Sequence, residues 1–239
     1  MRDLRNLLHA DRPAIGLWAQ IPTALTAELA AAAGPDYVVV DQQHGALAPR
    51  ELMAMLTAIE TAGAPPLVRV ARNDVTVIGQ VLDFGAAGVI VPMVESQDEA
   101  AAAIAACRYA PGGVRSFGVL RGSQPEPVCL TMIETRGGLE NVDEIARTPG
   151  LDGIYIGPAD LALSLGLQPA FRHEDPQLLQ AIQRIREACA AAGVICGLHC
   201  LAGEDAARFT GEGFALVTAG HDLFFLRDAL AAELRAARA

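Results

Sequence analysis

The sequence predicts an α/β protein that folds as a (β/α)8 barrel and occupies residues 1–239 as a single domain. Short β-branched runs alternate with Ala- and Leu-rich helical runs from one end of the chain to the other, which is typical of α/β folds. The β-branched runs are apolar without alternation, as in parallel strands that are covered on both faces. Eight such runs favour a barrel, and a doubly wound open sheet is the alternative, because strand number alone separates the two poorly.

The predicted strands and helices follow each other along the chain. The strands are Ala14–Ala19, Tyr37–Asp41, Leu67–Val70, Gly88–Pro92, Cys129–Glu134, Gly153–Ile156, Val194–Leu198 and Phe214–Thr218. The helices are Thr23–Ala33, Pro49–Ala62, Val75–Phe84, Gln97–Arg108, Gly138–Ala146, Pro176–Ala192 and Gly203–Glu212. Pro49 and Pro176 suit first turns, whereas Gly63, Gly85 and Gly193 suit helix stops.

The tail, residues 223–239, is predicted to form an amphipathic helix. Leu223, Leu226, Leu230 and Leu234 share one face of it. This helix either closes the barrel or packs on a neighbouring molecule.

Composition limits the functions that the chain can have. The 239 residues are 52% hydrophobic and carry a net charge of −10 without a basic cluster, so nucleic acid is not an expected partner. The apolar stretches are far shorter than the roughly 18–20 residues of a membrane span, and the first twelve residues lack a signal-like apolar core. Five cysteines, an odd number, suit a reducing compartment. We therefore expect a cytoplasmic protein without a membrane partner.

Two carboxylates follow consecutive predicted strands. Glu134 ends the fifth strand, and Asp160 comes shortly after the sixth. In α/β proteins such positions lie at the rim where sites are built. Two carboxylates at one rim can share a hard divalent cation, which keeps open positions for substrate. Taken alone, Asp160 could equally be the N-cap of the next helix.

His44 and Arg69 are candidates at the same rim. His44 lies just beyond the second strand, where imidazole could exchange a proton near neutral pH, or could instead cap the following helix. Arg69 stands within an apolar strand, which is costly unless the guanidinium is paired or functional. It could hold a carboxylate or polarise a carbonyl oxygen, or form a structural ion pair, for example with Glu134.

Other residues can be interpreted either as part of a site or as structural. The backbone N–H groups of Ala159 and Asp160 open a helix and could hold a substrate carboxylate. Asp83 precedes the fourth strand, so position alone favours a solvated residue at a helix end. Arg115 lies in a glycine-rich loop, where solvation is favoured over substrate contact. Trp18 could line a pocket or pack in the core.

The His- and Cys-containing segments near the end of the chain are weaker candidates. Cys196, His199 and Cys200 are spaced like zinc ligands, but strand alternation places His199 on the face opposite the two cysteines, so a zinc site is not favoured. His221 and Asp222 follow the eighth strand and could flank a pocket, although capping of the last helix is favoured.

An ordered set of motifs from about Gly16 to Ala219 resembles the HpcH/HpaI aldolase family, the metal-dependent (class II) pyruvate aldolases. The matching stretches are Asp41-Gln-Gln-His44-Gly, Leu67-Val-Arg69-Val, Leu82-Asp83-Phe-Gly-Ala-Ala-Gly-Val-Ile-Val-Pro92-Met, Arg108-Tyr-Ala-Pro-Gly-Gly-Val-Arg115, Met132-Ile-Glu134-Thr and Asp152-Gly-Ile-Tyr-Ile-Gly-Pro-Ala-Asp160-Leu. No single motif is decisive, but their order is specific.

The resemblance implies a barrel that binds Mg²⁺, Mn²⁺ or Co²⁺ through Glu134 and Asp160. It implies reversible cleavage of 4-hydroxy-2-oxo acids to an aldehyde and pyruvate or a related 2-oxo acid. His44 looks like the family's base and Arg69 its partner for the developing enolate. The resemblance also implies that Asp83 raises the basicity of the histidine, and its position in the chain then suggests delivery from a neighbouring subunit. Homo-oligomers, hexamers built as trimers of dimers with an exchanged last helix, are implied as well.

The chain departs from the family pattern in three places. Gln43 stands where many members have Glu, and Met132 stands where many have Gln. The loop from Val114 to Val128 is also shorter than usual. These changes put the acceptor-aldehyde pocket in question more than the metal and pyruvate positions.

The absence of lysine separates the possible aldolase mechanisms. The 18 residues counted as Lys or Arg are all Arg, so an imine mechanism through lysine is excluded. Two alternatives to a pyruvate aldolase remain: a lyase of the citrate lyase or malyl-CoA type on the same scaffold, and a catalytically weak protein that binds 2-oxo acids.

Overall fold

Eight parallel strands close into a barrel in the order of the sequence, as predicted. The computed structural model describes residues 3–8, 11–118, 120–121, 126–169 and 174–238, and the 114–128 loop therefore lies partly outside the described residues. The strands are β1 (Ala14–Ala19), β2 (Tyr37–Asp41), β3 (Pro66–Arg69), β4 (Gly88–Val91), β5 (Val128–Ile133), β6 (Gly153–Ile156), β7 (Ile195–Leu198) and β8 (Leu216–His221).

Helices connect the strands and surround the barrel. They are α1 (Leu4–Leu8), α2 (Ala24–Ala32), α3 (Pro49–Thr61), α4 (Val75–Asp83), α5 (Gln97–Cys107), α6 (Arg136–Glu140), α7 (Val142–Ala146), α8 (Pro158–Ser164), α9 (Pro176–Ala192), α10 (Gly203–Gly211) and α11 (Asp222–Ala236). The predicted helix Gly138–Ala146 is two short helices, because the backbone leaves helical geometry at Asn141 (φ −96°, ψ 11°). Helix α1 was not predicted.

Two apolar cores hold the barrel together. One lies between the strands and the surrounding helices, and the other fills the barrel interior. Leu4 and Leu8 of α1 belong to the interior core, and Arg5 of the same helix pairs with Asp152 before β6. Helix α1 therefore packs against the interior with a short apolar stripe that is too brief to stand out in the sequence.

The pairing of β8 with β1 contains an irregularity that matters at the mouth of the barrel. Gly16 pairs with Thr218, but Trp18 pairs with His221, so β8 carries one extra residue between these points. A β-bulge of this kind turns the following side chain. The predicted strand Phe214–Thr218 ends too early for this reason, since β8 continues through the bulge to His221.

Helix α11 leaves its apolar face uncovered within the chain. None of its residues is buried, and the four leucines predicted to share a face are 43–57% exposed. Exchange of this helix between subunits stays a prediction. No helix among the described residues is both long and apolar enough to cross a membrane.

Candidate active site

A cavity of about 320 Å³ lies at the end of the barrel where the strands terminate. It contains five of the six predicted site residues: His44, Arg69, Glu134, Ala159 and Asp160. Asp83 is not among them. The cavity is the place where parallel strands bring sequence-distant side chains together.

Glu134 follows β5 directly and is almost completely buried. Its Oε1 accepts a hydrogen bond of 2.8 Å from the backbone N–H of Met93, whereas Oε2 has no hydrogen-bond partner among the described residues. Burial raises the pKa of Glu134 to about 7, against the opposing effects of the Met93 N–H and Arg69. Met93 presents its N–H from a left-handed backbone conformation with φ 58°, which is uncommon for a residue with a side chain.

Space beside the unpartnered oxygen depends on a glycine. A Cβ atom at Gly157 would lie 2.6 Å from Oε2 of Glu134. Gly157 also precedes α8 and is its N-cap residue, so the alternative in which Asp160 caps this helix is wrong. Asp160 instead lies in the first turn of α8, is half-buried and lines the same cavity as Glu134.

The donor set suits a hard cation better than zinc. Among the described residues there is no group of three or more His, Cys, Asp and Glu side chains placed to hold a metal. Structural zinc sites use four such ligands, and catalytic zinc sites use three. Two carboxylates with free cavity space fit Mg²⁺ or Mn²⁺, which keep several water or substrate oxygens as ligands.

Arg69 is the last residue of β3 and forms an ion pair with Asp41, the last residue of β2. The guanidinium donates twice, from Nε to Oδ1 at 3.0 Å and from Nη2 to Oδ2 at 2.5 Å. The expected ion pair is thus present, but the suggested partner, Glu134, is wrong. Burial alone would raise the pKa of Asp41, yet the hydrogen bonds and charge of Arg69, with those of His44 N–H and Trp18, lower it below its ordinary value.

His44 lies in the loop after β2, and its backbone is tied to the same cluster. Its N–H donates to Asp41 at 3.2 Å, and its carbonyl accepts from Nε2 of Gln20 at 2.9 Å. The side chain is exposed and lines the cavity. The alternative role as a helix cap is wrong, because the N-cap of α3 is Ala48.

Asp83 lies at the end of α4 in a different cavity, which has a volume of about 530 Å³. Its Oδ1 accepts a hydrogen bond of 2.6 Å from Nη2 of Arg115. Arg115 is 9% exposed and stacks over the ring of Tyr109 at 4.7 Å, so the expectation of a solvated Arg115 is wrong. Asp83 itself is paired rather than simply solvated. The structure of one chain does not bring Asp83 together with His44.

The sequence named Trp18 and His221 as possible pocket residues, but it did not indicate His199 and Phe224 as part of the cavity wall. His199, His221 and Phe224 line the cavity, as does Trp18, which is buried at the same time. His221 is also the N-cap residue of α11, as the sequence favoured, although its side chain makes no capping hydrogen bond. The predicted division of faces around His199 is confirmed, since Cys196 and Cys200 belong to the core outside the barrel.

Comparison with known proteins places this chain in a family. Residues 14–229 match the model of the HpcH/HpaI aldolase/citrate lyase family. The chain is 41% identical to a hydroxypyruvate/pyruvate aldolase of Rhizorhabdus wittichii, with 100% of both chains covered. It is 37% identical to a 4-hydroxy-2-oxovalerate aldolase of Rhodococcus jostii, covering 95% of this chain and 92% of the relative.

A solved structure agrees with the sequence relatives. A HpcH/HpaI aldolase/citrate lyase family protein from Burkholderia cenocepacia superposes with a TM-score of 0.91 at 30% identity, and all of both chains is covered. The sequence match extends across the strands that carry the cavity residues. The chain therefore belongs to the HpcH/HpaI aldolase/citrate lyase family and is an enzyme of the aldolase type.

Proposed function

We propose that this aldolase depends on a divalent cation, Mg²⁺, Mn²⁺ or Co²⁺, and reversibly cleaves 4-hydroxy-2-oxo acids to an aldehyde and pyruvate or a related 2-oxo acid. Glu134 and Asp160 hold the cation. The relatives support the reaction class, because one is named for hydroxypyruvate and pyruvate and another for a 4-hydroxy-2-oxo acid.

The observation that carries the proposal is the unpartnered Oε2 of Glu134. A buried carboxylate oxygen without a hydrogen bond costs free energy unless a ligand satisfies it. Gly157 leaves room beside this oxygen, and Asp160 lines the same cavity. A cation between the two carboxylates would satisfy both, and when bound it would withdraw electrons from the 2-oxo group of the substrate.

Arg69 stabilises the negative charge that develops when the C3–C4 bond breaks. Asp41 accepts from Nε and from one N–H of Nη2, so the N–H groups of Nη1 and the second N–H of Nη2 remain for a substrate oxygen. The stacking of Arg69 over the Trp18 ring at 5.0 Å fixes the plane of the guanidinium. A donor that is already oriented loses little entropy when the enolate forms.

His44 exchanges the proton of the 4-hydroxyl group. In cleavage it accepts this proton, the C3–C4 electron pair passes to the pyruvate half, and the enolate is then protonated at C3. The first amides of α8, at Ala159 and Asp160, hold the substrate carboxylate. Because the chain has no lysine, no imine takes part.

Asp83 acts, in this proposal, on the His44 of a neighbouring subunit in a homo-oligomer, a hexamer built as a trimer of dimers. Within one chain Asp83 lines a cavity that shares no residue with the one at the barrel mouth. We therefore propose that Asp83 reaches the imidazole across a subunit boundary.

Metal-dependent release of pyruvate tests the proposal. Purified protein is stripped with a chelator, and cleavage of 4-hydroxy-2-oxopentanoate is followed with lactate dehydrogenase before and after Mg²⁺ or Mn²⁺ is returned. We expect activity only with the cation. Full activity in the stripped protein, with metal analysis showing none retained, would refute the metal role.

A further inference from the structure

The mouth of the barrel has two halves, and the proposed reaction uses only one of them. The reacting groups come from the ends of β2, β3 and β5 and from the start of α8. The other half is built by Trp18 of β1, His199 after β7, His221 of β8 and Phe224 of α11. This second half would contact the aldehyde part of the substrate, which extends away from the 2-oxo acid.

The second half is a continuous wall of rings that begins at Arg69. The guanidinium lies 5.0 Å from the centre of the Trp18 ring, which meets His199 edge-on at 4.5 Å between centroids. His199 lies 6.4 Å from His221, and His221 lies 5.0 Å from Phe224. A substrate held at Arg69 therefore extends along this wall if it is longer than pyruvate.

A bulge turns His221 toward this wall. Leu216 belongs to the core inside the barrel and Val217 to the core outside it, so regular alternation would point His221 outward. The extra residue in β8 reverses this and pairs His221 with Trp18. Gly220 takes up the turn with φ 148°, and a Cβ there would lie 1.9 Å from the Phe225 ring. Bulges next to active sites commonly redirect a side chain in this way.

Asp222 orients the redirected imidazole. Its carboxylate is fixed by backbone N–H groups of Gln20 at 2.9 Å, Ile21 at 3.1 Å and Leu223 at 2.7 Å. Nδ1 of His221 lies 3.5 Å from this carboxylate without forming a hydrogen bond among the described residues, and His221 is 6% exposed. A carboxylate beside Nδ1 favours a proton on that nitrogen, which leaves Nε2 as the acceptor available to a ligand in the cavity.

We infer that His221, oriented by Asp222, is a specificity-determining residue that selects neutral aldehydes with a 2-hydroxyl group over aliphatic aldehydes of the same size. The inference rests on the proposed function. An imidazole nitrogen can exchange a hydrogen bond with a hydroxyl group, which a methyl group cannot. A carboxylated aldehyde is disfavoured, because Arg69 is the one Arg among the described lining residues and the proposed reaction already uses it to stabilise the enolate.

A matched pair of acceptors tests the inference. Glycolaldehyde and propanal have the same number of heavy atoms and differ by a hydroxyl in place of a methyl group. With pyruvate and Mg²⁺, we expect wild type to prefer glycolaldehyde in kcat/KM. His221→Phe should lower the ratio of the two kcat/KM values by about 10-fold or more, since a site built to hydrogen-bond a hydroxyl discriminates through that bond. His221→Gln, which keeps a donor and an acceptor, should recover part of the ratio.

The ratio of kcat/KM for glycolaldehyde to kcat/KM for propanal is an internal control, because general damage to the enzyme lowers both values equally. If His221→Phe does not fold, as judged by circular dichroism and thermal melting, Asp222→Asn is used and should shift the ratio in the same direction. An unchanged ratio in a folded variant overturns the inference. A wild-type preference for glyoxylate that His221→Phe abolishes also overturns it, because the selected group would then be a carboxylate.

Exchange of the pyruvate methyl protons with deuterium oxide separates this inference from the proposed function. The exchange needs the cation, Arg69 and a base, but no aldehyde. Wild type that exchanges deuterium with Mg²⁺ yet prefers propanal would contradict the role of His221 alone. Wild type that shows neither exchange nor aldol addition would contradict the proposed function, and the inference with it.

Discussion

Two Asp–Arg pairs border two different cavities of this barrel, and a different partner lines each cavity: Arg69 at the mouth and Asp83 in the second cavity. At the mouth, the side chain of Arg69 is 11% exposed and that of Asp41 only 1%. In the pair beside the second cavity, the side chain of Arg115 is 6% exposed and that of Asp83 is 25% exposed. The first pair therefore presents a cation to its cavity, and the second presents a carboxylate.

The surroundings of the two acids explain the difference. Asp41 accepts hydrogen bonds from Trp18 and from the backbone of Gln43 and His44 in addition to Arg69, so its capacity is used within the fold. Among the described residues, Asp83 accepts one side-chain hydrogen bond, which comes from Arg115. Asp41, whose oxygens already accept several hydrogen bonds within the chain, orients Arg69. Asp83 still has free acceptor positions and is therefore available to a group from outside the chain.

Removal of the proposed metal ligand should give the largest effect. Glu134→Ala is expected to lower kcat/KM for aldol cleavage by about 1,000-fold or more, because charge stabilisation at the developing enolate is lost. The matched control is Glu60→Ala, which removes a glutamate that pairs with Arg121 beside the second cavity. Equal losses in the two variants would mean that Glu134 is needed only for folding.

Exchange of each arginine for lysine tests whether the two pairs have different roles. Arg69→Lys should lower kcat/KM by about 100-fold, since an ammonium cannot hold Asp41 with two bonds and still offer a planar donor to substrate. Arg115→Lys should mainly reduce stability, by about 1–3 kcal/mol, through a weakened pair and lost stacking on Tyr109. Steady-state kinetics and urea unfolding of both variants measure the contrast. Similar losses of kcat/KM in the two variants would show that the two pairs do not have different roles.

Residues that end or follow a strand were predictable from the sequence. Parallel strands in a barrel bring their carboxyl ends to one mouth, so a buried run with a polar residue after it is enough to place Glu134, His44 and Arg69 in one site. The prediction needed no knowledge of which strands are neighbours. It did not identify Asp41 as the partner of Arg69, because that requires the register of β2 against β3.

Residues whose position depends on irregular backbone were not predictable. Strand alternation points His221 out of the barrel, and a single glycine before it does not reveal the extra residue in β8. The burial of Arg115 depends on Asp83, which lies 32 positions away in the sequence. Local patterns report periodicity, whereas these contacts arise from the tertiary fold.

The exposed acid of the second pair should matter for activity only across a subunit boundary. Asp83→Asn is expected to lower kcat/KM by about 10-fold, as for a residue that orients a catalytic group from outside the site. If the residue acts on a neighbour, refolding a mixture of Asp83→Asn and Glu134→Ala chains should yield some sites with both functions intact. Turnover above that of either variant alone is the expected result. A mixture without this gain would place the role of Asp83 within its own chain.

The smallest expected effect concerns Asp41, the acid of the first pair, and is a change in how the free energy of unfolding depends on pH. The folded-state pKa of Asp41 is lowered, so its ionised form contributes stability above the unfolded pKa of about 3.9, and this contribution is lost as the pH falls through that value toward the folded pKa. Asp41→Asn should therefore lose less of its free energy of unfolding between pH 7 and pH 3 than wild type does, apart from a constant loss at both pH values for leaving Arg69 unpaired. Urea unfolding at the two pH values measures the difference. Equal acid slopes in the two proteins would show that Arg69 and the surrounding N–H groups do not hold Asp41 ionised, and the contrast between the two pairs would then rest on exposure alone.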